Sequence, residues 1–279
     1  MANTNTRNKN TLFELFFIFL ILILAYLNKS AAMPMQTDWY PNINSKFRII
    51  MSEIVEDYLY IGFEINLDDK THTYWSNPGD SGIQPNITIS STNVRNYNVL
   101  WPAPEIIKDE YGTNYGYFSN VIIPIKISLA NSKDIIDLDL NYNLGVCNDI
   151  CIPINGKIEI PIIDSFDYYK KKSNRGIQNA LQNIPSYRLD DINFISAAKL
   201  LKSKNTGIIN LEFSKPVEKI IPMISEKFYF SDIEDIKKSY TSYNFTYSPK
   251  RRNIKINGES FTVIIFSDGD FFIEDFIFD

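Results

Sequence analysis

The chain has 279 residues and a formal net charge of -5; 44% of it is hydrophobic, 14% aromatic, and it holds two cysteines and one histidine. That length suits one large domain or two small ones, and the apolar share excludes wholesale disorder. With 28 basic against 33 acidic residues, no nucleic-acid partner is expected. A single histidine excludes His-rich metal sites and leaves His72 as the one imidazole for any catalytic triad.

Arg7 and Lys9 give a positive start, Leu15 to Leu27 run without a charge, and Ser30-Ala31-Ala32 supply small residues for a cleavage site. This three-part pattern predicts a secretory signal over residues 1–32; a membrane span would want about 20 apolar residues. The alternative is an uncleaved N-terminal anchor. Either way the remainder is exported. Loss of 1–32 removes three basic residues and one acidic residue, which makes the net charge more negative.

From residue 46 the pattern is one of strands: 46–54, 58–67, 85–91, 98–101, 115–129, 135–145 and 157–163 are rich in Ile, Val, Tyr and Phe. Alternation such as Asp137-Leu138-Asp139-Leu140-Asn141-Tyr142 buries one face and wets the other. Turn clusters such as 76–82 and 130–133 separate the runs. Many short strands with little helix predict an all-β fold, a sandwich of antiparallel sheets, over 33–165. Residues 166–205 read as a polar linker with short helices, one at 176–183 and a second at 195–202. Strands resume at 207–213, 227–231, 241–247, 260–266 and 271–278, with Asp268-Gly269 as a hairpin turn. A second, smaller β-domain is therefore placed at 206–279.

Three motifs carry possible chemistry. Gly79-Asp80-Ser81-Gly82 spells a sequence seen around the nucleophile of chymotrypsin-like proteases, but His72 lies just upstream of it rather than far earlier, so the run reads as a turn and His72 as a strand residue beside Tyr74 and Trp75. Cys147-Asn148-Asp149-Ile150-Cys151-Ile152-Pro153 sets two sulfurs in one tight loop. In an exported protein such a pair can be oxidised. Three readings stay open: a stapling disulfide in a non-catalytic binding module, worth only about 2 kcal/mol for so small a ring; a pair of thiolates holding Cu(I) for copper delivery, as in the Sco family, against which stands the lack of any histidine after Cys151; and a dithiol that exchanges with other proteins. The third constellation, Asp109-Glu110-Tyr111-Gly112 followed by Tyr115-Gly116-Tyr117, is either a loop covering a reactive sulfur or an ordinary hairpin tip.

Taken together, Tyr74 to Gly82, Leu100-Trp101-Pro102-Ala103-Pro104, Tyr115-Gly116-Tyr117, Val121 to Ile125, Leu140-Asn141-Tyr142 and the Cys147/Cys151 loop with Pro153 resemble the periplasmic N-terminal domain of the DsbD/ScsB family of thiol:disulfide interchange proteins. The resemblance covers roughly residues 40–165 in matching order. A weaker likeness at Lys227 to Phe230 and Phe261 to Val263 fits the tandem arrangement of the ScsB type. It implies two immunoglobulin-like β-sandwiches, the first carrying the cysteine pair, and a periplasmic component of a protein-disulfide reductase. Electrons would come from a membrane-embedded donor of the DsbD/CcdA type and pass through a Cys147–Cys151 disulfide. They would go on to thioredoxin-like proteins of the isomerase or cytochrome c maturation kind. Cys151 would attack and Cys147 resolve, with Asp109, Glu110, Tyr111, Gly112 and Tyr115 forming a cap loop. Neither a metal nor any other cofactor is expected. Because exchange proceeds through thiolate, Asp149 and the negative protein predict a slow, selective dithiol.

Overall fold

A computed structural model describes residues 36–131, 136–163, 174–189, 193–201, 207–223, 225, 227–235, 240–251 and 254–277. The expected signal segment and part of the expected linker lie outside them. Among the described residues no helix is long and apolar enough to cross a membrane.

The alternating runs pair into two β-sandwiches within one compact unit. In the first, one sheet is built from β1 (Tyr40–Asn42), β2 (Ser45–Val55), β3 (Tyr58–Leu67), β6 (Val94–Val99) and β9 (Asn120–Leu129), in the order β1-β2-β3-β9-β6. The facing sheet holds β4 (His72–Gly79), β5 (Asn86–Ser90), β7 (Glu105–Asp109), β8 (Gly112–Phe118), β10 (Ile136–Cys147) and β11 (Cys151–Ile163), in the order β11-β10-β4-β8-β7. One edge of β10 is shared: residues 139–143 pair with β5, whereas Val146 and Cys147 pair with β4. Every pairing is antiparallel, so inward residues alternate with outward ones and two faces close on one core. Phe47, Phe63 and Tyr142 meet there with ring centroids 4.8–5.7 Å apart.

The short helix α1 (Arg175–Gln182) falls where the sequence places one. Asn174 caps it, its side-chain oxygen accepting from the backbone N–H groups of Gly176 and Ile177. Ile177 and Ala180 are its buried face.

The second sandwich joins β12 (Ile195–Leu200), β13 (Gly207–Phe213), β16 (Ser242–Pro249) and β15 (Phe228–Asp235) in one sheet, and β14 (Lys219–Pro222), β17 (Ser260–Ser267) and β18 (Asp270–Ile277) in the other. Its core is phenylalanine-rich: Phe261 packs against Phe228, Phe230 and Phe276 at 5.4–5.6 Å. The hairpin at Asp268-Gly269 forms with positive φ at both residues. One expected element differs. Residues 195–200 are a strand at the sheet edge, paired with β13, rather than a helix; Ala, Lys and Leu favour a helix locally, but pairing with an apolar neighbour strand outweighs that small preference. Strands β1, β7 and β14 were also not expected, only the start of β4 around His72 was read as strand, and the expected run 115–129 is broken at Ser119, which has φ 60°.

Candidate functional site

Strands β10 and β11 form a hairpin whose last pair is Cys147 opposite Cys151, and the two are joined by a disulfide. Asn148, Asp149 and Ile150 make the tip and are exposed. The two sulfur residues differ in access: Cys147 is 0% exposed, while Cys151 is on the surface.

What lies beside the pair comes from β4. Residues directly opposite on neighbouring strands point to one face, and His72 is opposite both Cys147 on one side and Phe118 on the other. Tyr74 follows two residues later, on that same face. Its Oη lies 3.1 Å from Cys151 Sγ and 3.2 Å from Cys147 Sγ. While the sulfurs are bonded to each other only the phenol can donate. Its ring sits between Gly82 and Gly145, where an added Cβ would come within 3.0 Å of it.

His72 packs edge-on against Tyr74 and beside Phe118, with centroids at 5.3 and 5.6 Å. Its Nε2 is buried and has no hydrogen-bond partner among the described residues. Burial holds the imidazole below its usual 6.5, against an opposing pull from the Asp109 carboxylate. Burial also raises the Tyr74 phenol above its usual value, and Asp109 adds to that rise. Tyr74 is thus a neutral donor at physiological pH.

Asp109 belongs to the β7–β8 hairpin, whose turn is Glu110-Tyr111. A short polar network holds this hairpin to the end of β4. Asp80 N donates to Thr113 O at 3.0 Å, and Thr113 N donates back to Asp80 Oδ2 at 2.8 Å. Ser81 N donates to Asn114 Oδ1 at 3.0 Å, while Asn114 Nδ2 donates to Asp109 Oδ2 at 3.1 Å. Gly79 and Gly112 both have positive φ where the two segments meet, and a Cβ on Gly112 would run into Asp80. The Gly79-Asp80-Ser81-Gly82 run is therefore the seat of the hairpin, with Ser81 bonded to an asparagine.

The residues singled out from sequence are thus distributed unevenly. Cys147 and Cys151 are bonded, and Asp109 acts electrostatically on His72 and Tyr74. Tyr111 at the hairpin tip is 71% exposed, and Glu110 is exposed as well. Tyr115 is buried in the sandwich, edge-on to Trp75 at 6.4 Å. His72 and Tyr74 are the site residues that sequence reasoning passed over. The available signal was their spacing of two on a strand, which places both on one face.

Residues 45–161 match the family described as thiol:disulfide interchange protein DsbD, N-terminal. Comparison with curated protein sequences finds no match. Among solved structures, the chain is similar to the N-terminal periplasmic domain of ScsB from Proteus mirabilis, with a TM-score of 0.67 and 17% sequence identity, over 88% of this chain and 98% of that one. That likeness extends through both sandwiches and concerns the fold.

Proposed function

We propose that the chain, whose residues 45–161 match the DsbD N-terminal family, is a periplasmic thiol:disulfide interchange protein passing electron pairs through Cys147 and Cys151. The observation that carries the reading is the unequal exposure of two bonded sulfurs at one hairpin tip.

In the reduced state the Cys151 thiolate is the one a partner can reach. It attacks a sulfur of the partner's disulfide, giving a mixed disulfide and releasing one partner thiolate. Cys147, one hairpin pair away, then attacks Cys151 Sγ; the Cys147–Cys151 bond re-forms and the second partner sulfur leaves reduced. Two electrons have moved and no other reagent is needed. A membrane-embedded dithiol recharges the pair by the reverse sequence. Tyr74 serves both forms, because its O–H can donate to whichever sulfur carries negative charge, and a hydrogen bond to the charged form favours it. Two exposed apolar groups, Ile150 in the hairpin tip next to Cys151 and Phe118 beside His72, suit contact with an apolar rim on a thioredoxin-like protein.

Trapping tests this directly. Cys147→Ser leaves the attacking thiol without its resolving partner and is expected to accumulate a mixed disulfide with a thioredoxin-like protein. Cys151→Ser is expected to accumulate none. Equal trapping by both variants, or by neither, contradicts the assignment.

A further inference from the structure

The objection to a metal at the cysteine pair was the lack of a histidine after Cys151. The fold meets it from the other direction. Strand β4 brings His72, far upstream in sequence, alongside Cys147, and an imidazole nitrogen and the two sulfurs all lie within 4.8 Å of one another.

We infer that the reduced pair and His72 together form a three-coordinate Cu(I) site. Two thiolates and one imidazole are soft and intermediate donors, the set that selects Cu(I) over hard cations. The ligand count argues the same way. Structural zinc takes four protein ligands, and although two cysteines and a histidine also hold catalytic zinc, that ion needs a water as its fourth ligand; among the described residues this cluster offers three, which satisfy Cu(I) without one. The imidazole is also available: its Nε2 is buried and accepts from no neighbour. Its ring is held in place by Tyr74 and Phe118, so a ligand is positioned before any ion arrives. Tyr74 Oη can remain a donor to the thiolates, offsetting their charge.

Binding loses two S–H bonds, releases two protons to solvent and transfers no electrons. The disulfide has no thiolate to offer, so the site exists only in the reduced protein. It rests on the reading that the pair opens, and the consequence for that reading is a brake: a dithiol holding Cu(I) cannot attack a partner's disulfide.

The test is anaerobic. The full chain is reduced, freed of reductant and titrated with Cu(I) against a chromophoric Cu(I) chelator. One equivalent should be withheld by the reduced protein and none by its disulfide form. His72→Phe keeps an aromatic ring between Tyr74 and Phe118 and is expected to weaken retention on the order of tenfold or more; the melting temperature of the oxidised variant checks that it folds. X-ray absorption on the wild-type complex should show two sulfur neighbours and one nitrogen. Absence of retention by the reduced wild type, equal retention by His72→Phe, or a sulfur-only coordination shell each overturns the inference. Exchange with a thioredoxin-like protein is measured separately on the metal-free chain. Exchange without Cu(I) retention removes the site and leaves the relay; retention without exchange removes the relay and leaves the site.

Discussion

Tyr74 touches both sulfurs, and its phenol is kept neutral by burial and by the Asp109 charge. A donor so placed stabilises a thiolate as it forms. Tyr74→Phe keeps the ring between its two glycines and deletes only that bond, so the reduced protein should react with a small aromatic disulfide roughly three- to tenfold more slowly at pH 7, the size expected for about 1 kcal/mol of hydrogen bonding. Stopped-flow kinetics on the reduced variant measures it. The cysteines were legible from sequence because two thiols four residues apart in one tight loop between strands have few uses. His72 and Tyr74 were not, because a histidine and a tyrosine on a strand look the same whether they face a core or a sulfur. Only the pairing of β4 with β10 decides, and that is a contact between segments some seventy residues apart.

At the scale of elements, the β7–β8 hairpin owes its position to Asn114. This residue is fully buried and spans Ser81 on one side and Asp109 on the other. Asn114→Ala would leave the Ser81 N–H without its acceptor and free the Asp109 carboxylate. It should cost about 1–3 kcal/mol, the usual penalty for stranding a buried polar group. Hydrogen exchange should accelerate at Thr113 and Ser81 before it does elsewhere. The sequence identified residues 76–82 as a turn from their Gly, Pro and Asn content, which hid that the strand begun at His72 continues to Gly79. The ladder to β8 is irregular between Tyr74 and Gly79, and Pro78 falls within that irregularity, a place where a strand tolerates proline. The misread segment at 195–200 has the opposite cause. Its composition favours helix, and only the availability of β13 as a neighbour makes it an edge strand.

For the whole molecule, both sandwiches bury aromatic side chains among aliphatic ones, and some of those aromatics carry hydroxyls. Tyr117 is buried, its Oη donating to Pro102 O at 2.8 Å, and burial raises its phenol well above the usual value of 10; Tyr115 is raised likewise, by burial and by Asp80. Folding therefore favours the protonated phenols. Their contribution is intact below about pH 10 and is lost as pH climbs above it, because the unfolded chain can ionise where the folded one resists. Urea midpoints should fall between pH 9 and pH 11. Tyr117→Phe should cost about 1 kcal/mol at pH 7, from the unmatched carbonyl of Pro102, and should make the alkaline decline shallower. The all-β class and the sandwich architecture were legible because alternation is a local property. The division into sheets was not, since the order β11-β10-β4-β8-β7 depends on which strands meet across the core.

The relay requires that the Cys147–Cys151 bond be opened and closed by other thiols. Its reduction potential, measured on the full chain by equilibration against a graded thiol–disulfide buffer, is the most direct measure of that. The account predicts a value above about -300 mV, within the range over which thioredoxin-like proteins trade electrons; a value below it is that of a structural disulfide and would contradict a relay.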